Sequence, residues 1–251
     1  MQWSAAKLLR VFLPFAFGYF LSYLYRTVNA VIAPDLVQDL GLDPANLGLL
    51  TSAYFLSFAA FQLPLGILLD RFGPRRVEAG LLVFAAIGAI LFGMAESLSG
   101  LLLGRALIGL GVSACLMAAF KAFVIWFPPE RLPMANGIQM VSGGLGALMA
   151  TVPVEMALQV TDWRMVFIGL GLLTLMAAAE KLDPRLEEAA RSLGASPFAV
   201  LRDVLLPGIA PAMAAAGAIC FATATGAFGT AFALASRIDV LPMVIYTEFT
   251  L

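Results

Sequence analysis

The chain has 251 residues, of which 61% are hydrophobic and 12% are charged, and its formal net charge is −1. A soluble domain carries about 25% charged residues, so a chain with a mean hydropathy of +0.95 is too apolar to be hydrated on all sides. We therefore expect an integral protein of the plasma (inner) membrane, surrounded by the lipid bilayer. The near-neutral charge argues against a nucleic-acid partner. The chain has no His and no Gly-rich phosphate loop, and it therefore gives no support for an enzyme, a metal site or a cofactor.

Membrane-spanning helices need about 20 consecutive apolar residues. Stretches of this kind predict seven spans, at about 11–33, 47–69, 77–95, 98–124, 134–159, 164–179 and 205–235. The first span follows Lys7 and Arg10, and we expect it to be retained rather than cleaved as a signal peptide, because Arg26 interrupts it. Cys115 and Cys220 lie inside spans, which predicts inert core thiols without a disulfide.

The distribution of Lys and Arg predicts the orientation, since these residues accumulate in short cytoplasmic loops. Basic residues occur in the N-terminus, in the loops at 70–76 and 127–133, and in segment 180–203, whereas the loops near 34–46 and 96–100 have none. This alternation predicts a cytoplasmic N-terminus and an external C-terminus after seven spans. Arg164, at the start of the sixth span, is the exception.

Three motifs within residues 1–178 carry a family resemblance. The first is Gly66-x-Leu68-x-Asp70-Arg71-x-Gly73-x-Arg75, the second is Arg105-x₃-Gly109-x-Gly111, and the third is Asp162-Trp163-Arg164-x₂-Phe167. In this order they resemble the major facilitator superfamily, whose members normally have twelve spans in two six-helix halves with the substrate between them. The resemblance implies one six-helix half over residues 1–178. It also implies that the loop of Gly66, Asp70, Arg71, Gly73 and Arg75 acts in gating against the opposite half.

This loop also has a physical interpretation of its own. Gly66 would allow a close approach of helices, Gly73 and Pro74 would form a tight turn, and Asp70 would cap a helix or pair with the arginines. The alternative is a basic loop that only sets the topology.

Polar residues form a stripe along the first span. Tyr19, Ser22, Tyr23, Arg26 and Asn29 fall on one face at helical spacing. Such a stripe on an apolar helix predicts a surface that faces a cavity rather than lipid.

Two arginines lie at matching depth, Arg26 about 12 Å and Arg105 about 10 Å below the outer membrane face. A charge at such depth is costly unless it is paired or hydrated, so these arginines predict a shared functional cavity, with Glu155 as the available acid. Guanidinium groups match carboxylate and phosphate geometry, which favours an anion site. The two arginines also resemble those of the organic-anion carriers of the superfamily. The alternative is that either arginine reaches outward to the interface or forms a structural pair with Glu155. The predicted substrate-binding residues are Tyr19, Tyr23, Arg26, Asn29, Arg105 and Glu155.

Two further features of these spans predict structure rather than binding. Lys121, near the inner end of the fourth span, is expected to extend its ammonium group to the interface. The cluster Gly143-Gly144-x-Gly146 predicts a small-residue contact between helices.

The last part of the chain, residues 179–251, carries a different pattern. Glu188-Ala189-Ala190-x₃-Gly194-x₉-Val204-x-Leu206-Pro207 resembles the cytoplasmic loop of ABC importer permeases of the polyamine type. The resemblance implies an amphipathic cytoplasmic helix from about Asp183 to Leu193, then a seventh span of a truncated permease. The residues that would dock on an ATPase subunit are Glu188, Ala189, Ala190, Gly194 and Pro207.

Together these patterns predict an all-α membrane protein, with a six-helix half-bundle at 1–178 followed by a cytoplasmic helix and a seventh span. The predicted function is transport of a small, anionic solute by a secondary carrier, which a second copy of the chain would complete. Two alternatives stay open. The chain could be an ABC permease subunit that works with a separate ATPase, or a fusion product that does not transport.

Overall fold

A computed structural model describes residues 11–181, and all regular structure in that range is helical. The helices are α1 Leu13–Val31, α2 Ala33–Leu40, α3 Pro44–Phe72, α4 Pro74–Gly93, α5 Leu98–Gly111, α6 Cys115–Trp126, α7 Leu132–Met149, α8 Val152–Leu158 and α9 Trp163–Glu180. A 3₁₀ turn, Pro129–Arg131, precedes α7. The predicted all-α fold is confirmed for this part of the chain, and the six predicted spans agree with the helix boundaries to within about three residues.

Side-chain caps explain where two of the long helices begin. The carboxylate of Asp43 accepts a hydrogen bond of 2.7 Å from the N–H of Asn46 at the start of α3. Asp162 accepts one of 2.8 Å from the N–H of Met165 at the start of α9. Each cap satisfies a backbone N–H that has no partner within its helix.

A single residue connects α3 to α4. Gly73 has φ +79° and ψ 159°, a backbone conformation that is essentially restricted to glycine, and Pro74 occupies the first position of α4. The predicted tight turn is therefore confirmed.

Four helical units of the described range are long and apolar enough to cross a membrane, judged by length and composition. They are Pro44–Phe72, Pro74–Gly93, Leu98–Trp126 and Pro129–Leu158, whereas the apolar run Trp163–Ala179 is shorter. Helix α1 has 19 residues, about 28 Å at 1.5 Å per residue, close to the thickness of a hydrocarbon core. The span at 205–235 lies outside the described residues, and the seven-span topology and its orientation stay predictions.

Two of these four units are interrupted, which the sequence did not predict. Turns replace the helix at residues 112–114, between α5 and α6, and at residues 150–151, between α7 and α8. At the second interruption Thr151 has φ −94° and ψ −107°, outside the helical region. The direction in which side chains point therefore changes from α7 to α8.

Helix α4 lies at the centre of the bundle, where it packs on α5 and α9, while α3 packs on α5 and α1 packs on α7. Hydrogen bonds between side chains fix the position of α9. The indole N–H of Trp163 donates to Asp39 at 2.8 Å, and the hydroxyls of Tyr25 and Thr174 lie 2.8 Å apart.

Glycines allow α7 to approach α1 closely. A Cβ at Gly146 would lie 2.8 Å from the carbonyl carbon of Phe20, and one at Gly143 would lie 2.5 Å from the ring of Tyr19. A Cβ at Gly144 would meet nothing within 4 Å. The predicted small-residue contact is confirmed at Gly143 and Gly146 and is wrong at Gly144.

Candidate functional site

A cavity of about 260 Å³ opens between α1, α3 and the interruption that separates α5 from α6. Its polar lining comes mainly from α1. The lining residues are Tyr19, Ser22, Tyr23, Arg26, Phe58, Gln62, Val112, Ser113, Leu116 and Met117.

Arg26 carries the charge on this cavity wall. Its guanidinium carbon lies 4.7 Å from the ring centre of Tyr23 and 5.4 Å from those of Phe55 and Phe58. Its Nε has no hydrogen-bond partner, and the ion pairs among the described residues do not include it. Aromatic faces stabilise a cation without neutralising it. The cavity therefore holds a half-buried positive charge that remains available to an anion.

The interruption after α5 adds hydrogen-bonding groups beside this charge. The side-chain amide of Gln62 donates to the carbonyl oxygen of Ser113 at 3.1 Å, and the Ser113 hydroxyl donates to Leu110 O at 2.7 Å. Helix interruptions at membrane depth are tolerated where other groups replace the lost backbone hydrogen bonds. Gln62 provides such a replacement and places its own amide in the cavity wall.

Arg105 does not line this cavity. Its side chain is 1% exposed, its Nη1 donates to the carbonyl oxygen of Tyr25 at 3.0 Å, and its guanidinium carbon lies 4.9 Å from the Tyr54 ring. The expectation that Arg26 and Arg105 share one cavity is wrong for Arg105, because the side chain points between α1 and α3. The Nε of Arg105 has no hydrogen-bond partner, so only part of the hydrogen-bonding capacity of its guanidinium group is used.

Tyr54 lies between the two arginines. It interacts electrostatically with both Arg26 and Arg105, and its hydroxyl donates to the carbonyl oxygen of Ser22 at 3.3 Å. The two guanidinium groups are thus neighbours of one phenol, although only one of them reaches the cavity.

The other predicted binding residues of α1 take different positions. Tyr19 and Tyr23 line the cavity with ring centres 5.0 Å apart. Asn29 is 6% exposed, and its Oδ1 lacks a hydrogen-bond partner, but it lies outside the cavity lining. The polar stripe therefore continues beyond the cavity into the buried interior.

Glu155, on α8, is exposed, and it belongs to neither of the ion pairs found among the described residues. The alternative of a structural pair between Glu155 and an arginine is therefore wrong in the part of the chain that the structure describes. The interruption at residues 150–151 explains the difference, since it changes the direction of the side chains that follow.

The loop between the second and third spans departs from expectation in two contacts. A Cβ at Gly66 would meet nothing within 4 Å, so a close helix approach at this residue is wrong for the described residues. Asp70 forms its ion pair with Lys121 on α6, rather than with an arginine. Lys121 thus has a carboxylate partner that the sequence did not predict. Arg71 is exposed and Arg75 is half-buried.

A second ion pair was missed by the sequence analysis. Glu78 on α4 and Lys181, directly after α9, place Oε1 and Nζ 2.5 Å apart, with side chains 0% and 1% exposed. Such a contact joins α4 to the end of α9 without access to solvent. The available signal was an acidic residue inside the apolar stretch 77–95. The ATPase-docking residues predicted from 188 to 207 lie outside the described residues.

Known proteins with similar sequences place this chain in a family. The model of the Major Facilitator Superfamily matches residues 15–246. The chain belongs to this superfamily. The match runs through most of segment 179–251, whose resemblance to an ABC-type permease stays a prediction.

Transporters for different solutes are among the superfamily relatives. A probable sulfoacetate transporter of Cupriavidus necator is 32% identical over 62% of this chain and 36% of the relative. A hexuronate transporter of Escherichia coli is 30% identical over 64% of this chain and 37% of the relative. A nitrate/nitrite transporter of a Picosynechococcus species is 34% identical over 52% of this chain and 24% of the relative. The chain thus spans between about a quarter and slightly more than a third of the length of these three relatives.

A solved structure supports the superfamily fold. The crystal structure of a bacterial homolog to the human lysosomal transporter Spinster, in an inward-facing and occupied conformation, matches with a TM-score of 0.62 and 24% identity. The match covers 70% of this chain and 44% of the other.

Proposed function

We propose that this chain forms part of a secondary carrier for a small organic or inorganic anion. The observation that carries the proposal is Arg26, a half-buried guanidinium in a cavity wall without a carboxylate partner among the described residues. An intramembrane charge of this kind marks a substrate pathway by default. Relatives named as transporters of sulfoacetate, hexuronate and nitrate support an anion as the solute.

The geometry around Arg26 favours a small anion with several acceptor oxygens. A guanidinium donates two parallel hydrogen bonds to a carboxylate or a similar oxyanion. The hydroxyls of Ser22 and Tyr23 and the amide of Gln62 lie in the same wall and can contact the remaining oxygens. The aromatic side chains around the cavity exclude water and strengthen the electrostatic attraction.

A binding experiment on the full chain tests the proposal. Purified protein in detergent is titrated with sulfoacetate, glucuronate and nitrate, and binding is measured by equilibrium dialysis of labelled anion. Replacing Arg26→Gln removes a charge-assisted contact and should weaken binding of the preferred anion about ten-fold or more. Arg76→Gln removes an exposed arginine near the loop and should leave affinity unchanged.

Arg105→Gln should mainly lower the unfolding temperature, because it removes the hydrogen bond to Tyr25 O from a buried site. Unchanged binding of all three anions after Arg26→Gln, or no binding by the unmodified chain, contradicts the proposal.

Completion of the carrier is a further part of the proposal. The gating role of Gly66, Asp70, Arg71, Gly73 and Arg75 requires an opposite half, which a second copy of this chain could supply. Crosslinking of the chain in native membranes, followed by determination of its mass, tests this. A monomer that transports the anion contradicts the need for a second copy.

The orientation and the tail also have separate tests. Reporter fusions after Gly73 and after Leu251 should give a cytoplasmic and an external signal, respectively, if seven spans are present. An ATPase that co-purifies with the chain and is lost on Gly194→Glu would favour the ABC-type alternative over the carrier. If the unmodified chain transports no anion, co-purifies with no ATPase and crosslinks to no second copy, a fusion product would be favoured.

A further inference from the structure

The interruption between α5 and α6 divides one apolar unit near its middle. Helix α5 contributes 14 residues to this unit and α6 contributes 12, with residues 112–114 between them. The turn borders the cavity, because Val112 and Ser113 line it together with Leu116 and Met117 of α6. Non-helical backbone at membrane depth is tolerated where it is buried in protein or lines a cavity. Each polar group of this turn therefore needs a partner in the protein or in the cavity.

Carbonyl oxygens around the interruption find their donors within the protein. The carbonyl oxygen of Ser113 accepts from the side-chain amide of Gln62 at 3.1 Å. That of Leu110 accepts from the Ser113 hydroxyl at 2.7 Å. That of Ala114 accepts from the N–H of Ala118 at 2.8 Å. These three acceptors are therefore not available to a ligand in the cavity.

The N–H groups at the start of α6 are paired less completely. Ala114, the residue before α6, provides no side-chain cap. The N–H of Cys115 donates to the carbonyl oxygen of Val112 at 3.2 Å, whereas the N–H groups of Leu116 and Met117 have no acceptor among the described residues. Unpaired N–H groups at the start of a helix together amount to about half an elementary positive charge. The backbone of α6 thus adds a positive region to the cavity wall.

Two side chains of α1 indicate independently that the same cavity takes a polar ligand. Arg26 lines it with a buried Nε that has no hydrogen-bond partner. Ser22 also lines it and is only 2% exposed, and the hydrogen bonds found among the described residues do not include its hydroxyl group. Buried polar groups are costly without a partner, so a ligand or water must complete their hydrogen bonds. Because the lining contains no acidic residue, the fitting ligand is one that supplies acceptor oxygens.

We propose that the start of α6 is a second binding element for the anion at Arg26, an inference that rests on the proposed function. The N–H groups of Leu116 and Met117 donate to oxygens on one side of the anion, as at other helix N-termini that bind anions. The guanidinium group of Arg26 and the hydroxyl of Ser22 contact the oxygens on the other side. The ligand class is an oxyanion, such as a carboxylate, a sulfonate or nitrate, whose several acceptor oxygens face α1 and α6 at the same time.

Replacing a single backbone N–H by oxygen tests this role without changing a side chain. Leucic acid, the α-hydroxy analogue of leucine, is introduced at Leu116 of the full chain by nonsense suppression, and binding of labelled sulfoacetate, glucuronate and nitrate is measured by equilibrium dialysis. Loss of one hydrogen bond to a charged group should weaken binding of the preferred anion about ten-fold or more. The same replacement at Leu98, the first residue of α5 and outside the cavity lining, should leave the affinity unchanged. The α-hydroxy analogue of methionine at Met117 removes the other N–H and serves if the first variant fails to fold.

The outcomes separate this inference from the proposed function. If Arg26→Gln weakens binding while the variants at Leu116 and Met117 bind like the unmodified chain, the anion site stands and the role of α6 is overturned. An equal loss of affinity for the variant at Leu98 also overturns it, since the effect would then not depend on the cavity. If the unmodified chain binds none of the three anions, the proposed function fails, and the inference fails with it.

Discussion

Replacing Gly146→Ala places a methyl group between two helices that are in backbone contact. The added Cβ would lie 2.8 Å from the carbonyl carbon of Phe20 and 3.0 Å from its Cα. The carbonyl oxygen of Phe20 would lie closer still to the added Cβ than these two carbons, so α7 must move away from α1 by about 1 Å or more at this point. Nearby contacts depend on the same separation, including the hydrogen bond of 3.1 Å from the Gln139 amide to Phe15 O.

Two effects of opposite sign decide the size of the change. Overpacking of this kind costs about 1–3 kcal/mol, whereas replacing a helical glycine by alanine gains about 1 kcal/mol. Gly144→Ala provides the matched control, since it lies in the same helix and its Cβ would meet nothing within 4 Å. The difference between the two variants cancels the helix-propensity gain and isolates the steric cost, which we expect to be about 1–3 kcal/mol.

Equilibrium unfolding of the purified chain in mixed micelles of mild detergent and sodium dodecyl sulfate measures this difference. Gly144→Ala should be as stable as the unmodified chain or more stable, and Gly146→Ala should be less stable than Gly144→Ala. Equal stabilities of the two variants, to within about 0.5 kcal/mol, would refute the contact between α1 and α7 at this position.

Three further predictions concern single contacts. Gly73→Ala should destabilise the chain by about 1–3 kcal/mol in the same unfolding assay, because alanine is strained at φ +79°. Gly66→Ala has open space around its Cβ and should not destabilise the chain, so equal effects of the two changes would contradict the one-residue turn. Trp163→Phe should lower the free energy of unfolding by about 1 kcal/mol or more, because Asp39 loses its indole donor. Asp39→Asn keeps an acceptor and should lower it by less, and the reverse order would contradict this hydrogen bond. Asp70→Asn should change the free energy of unfolding by less than about 1 kcal/mol, because its pair with Lys121 is largely exposed. The effect should be smaller in high salt, and a large loss of stability that does not depend on salt would contradict a surface ion pair.

Much of the fold followed from local patterns in the sequence. Hydropathy predicts the helices, because the backbone N–H and C=O groups of a long apolar segment in lipid must form hydrogen bonds with each other. Gly73 before Pro74 gives the boundary between α3 and α4, since φ preferences act on neighbouring residues alone.

The candidate site was predicted less completely, because depth along a helix does not give the direction in which a side chain points. Tyr19, Ser22, Tyr23 and Arg26 were found as one stripe because α1 is regular over that range. Arg105 has the matching depth but points between α1 and α3. Glu155 follows an interruption whose signal in the sequence is Pro153, at the start of α8, because proline has no N–H to donate to the carbonyl of residue 149. The partners of Glu78 and Asp70 are distant in sequence, at Lys181 and Lys121, and a single sequence does not contain such pairings.

The joint at Gly73 has a mechanical consequence. Only one residue connects α3 to α4. A change in the tilt of α3 must therefore be accommodated by the two dihedral angles of Gly73 or must move α4 as well. Phe58 and Gln62 of α3 line the cavity. Glu78 lies in the second turn of α4, shortly after Gly73. A change in the tilt of α3 at the cavity therefore also changes the position of the first turns of α4, where Glu78 lies.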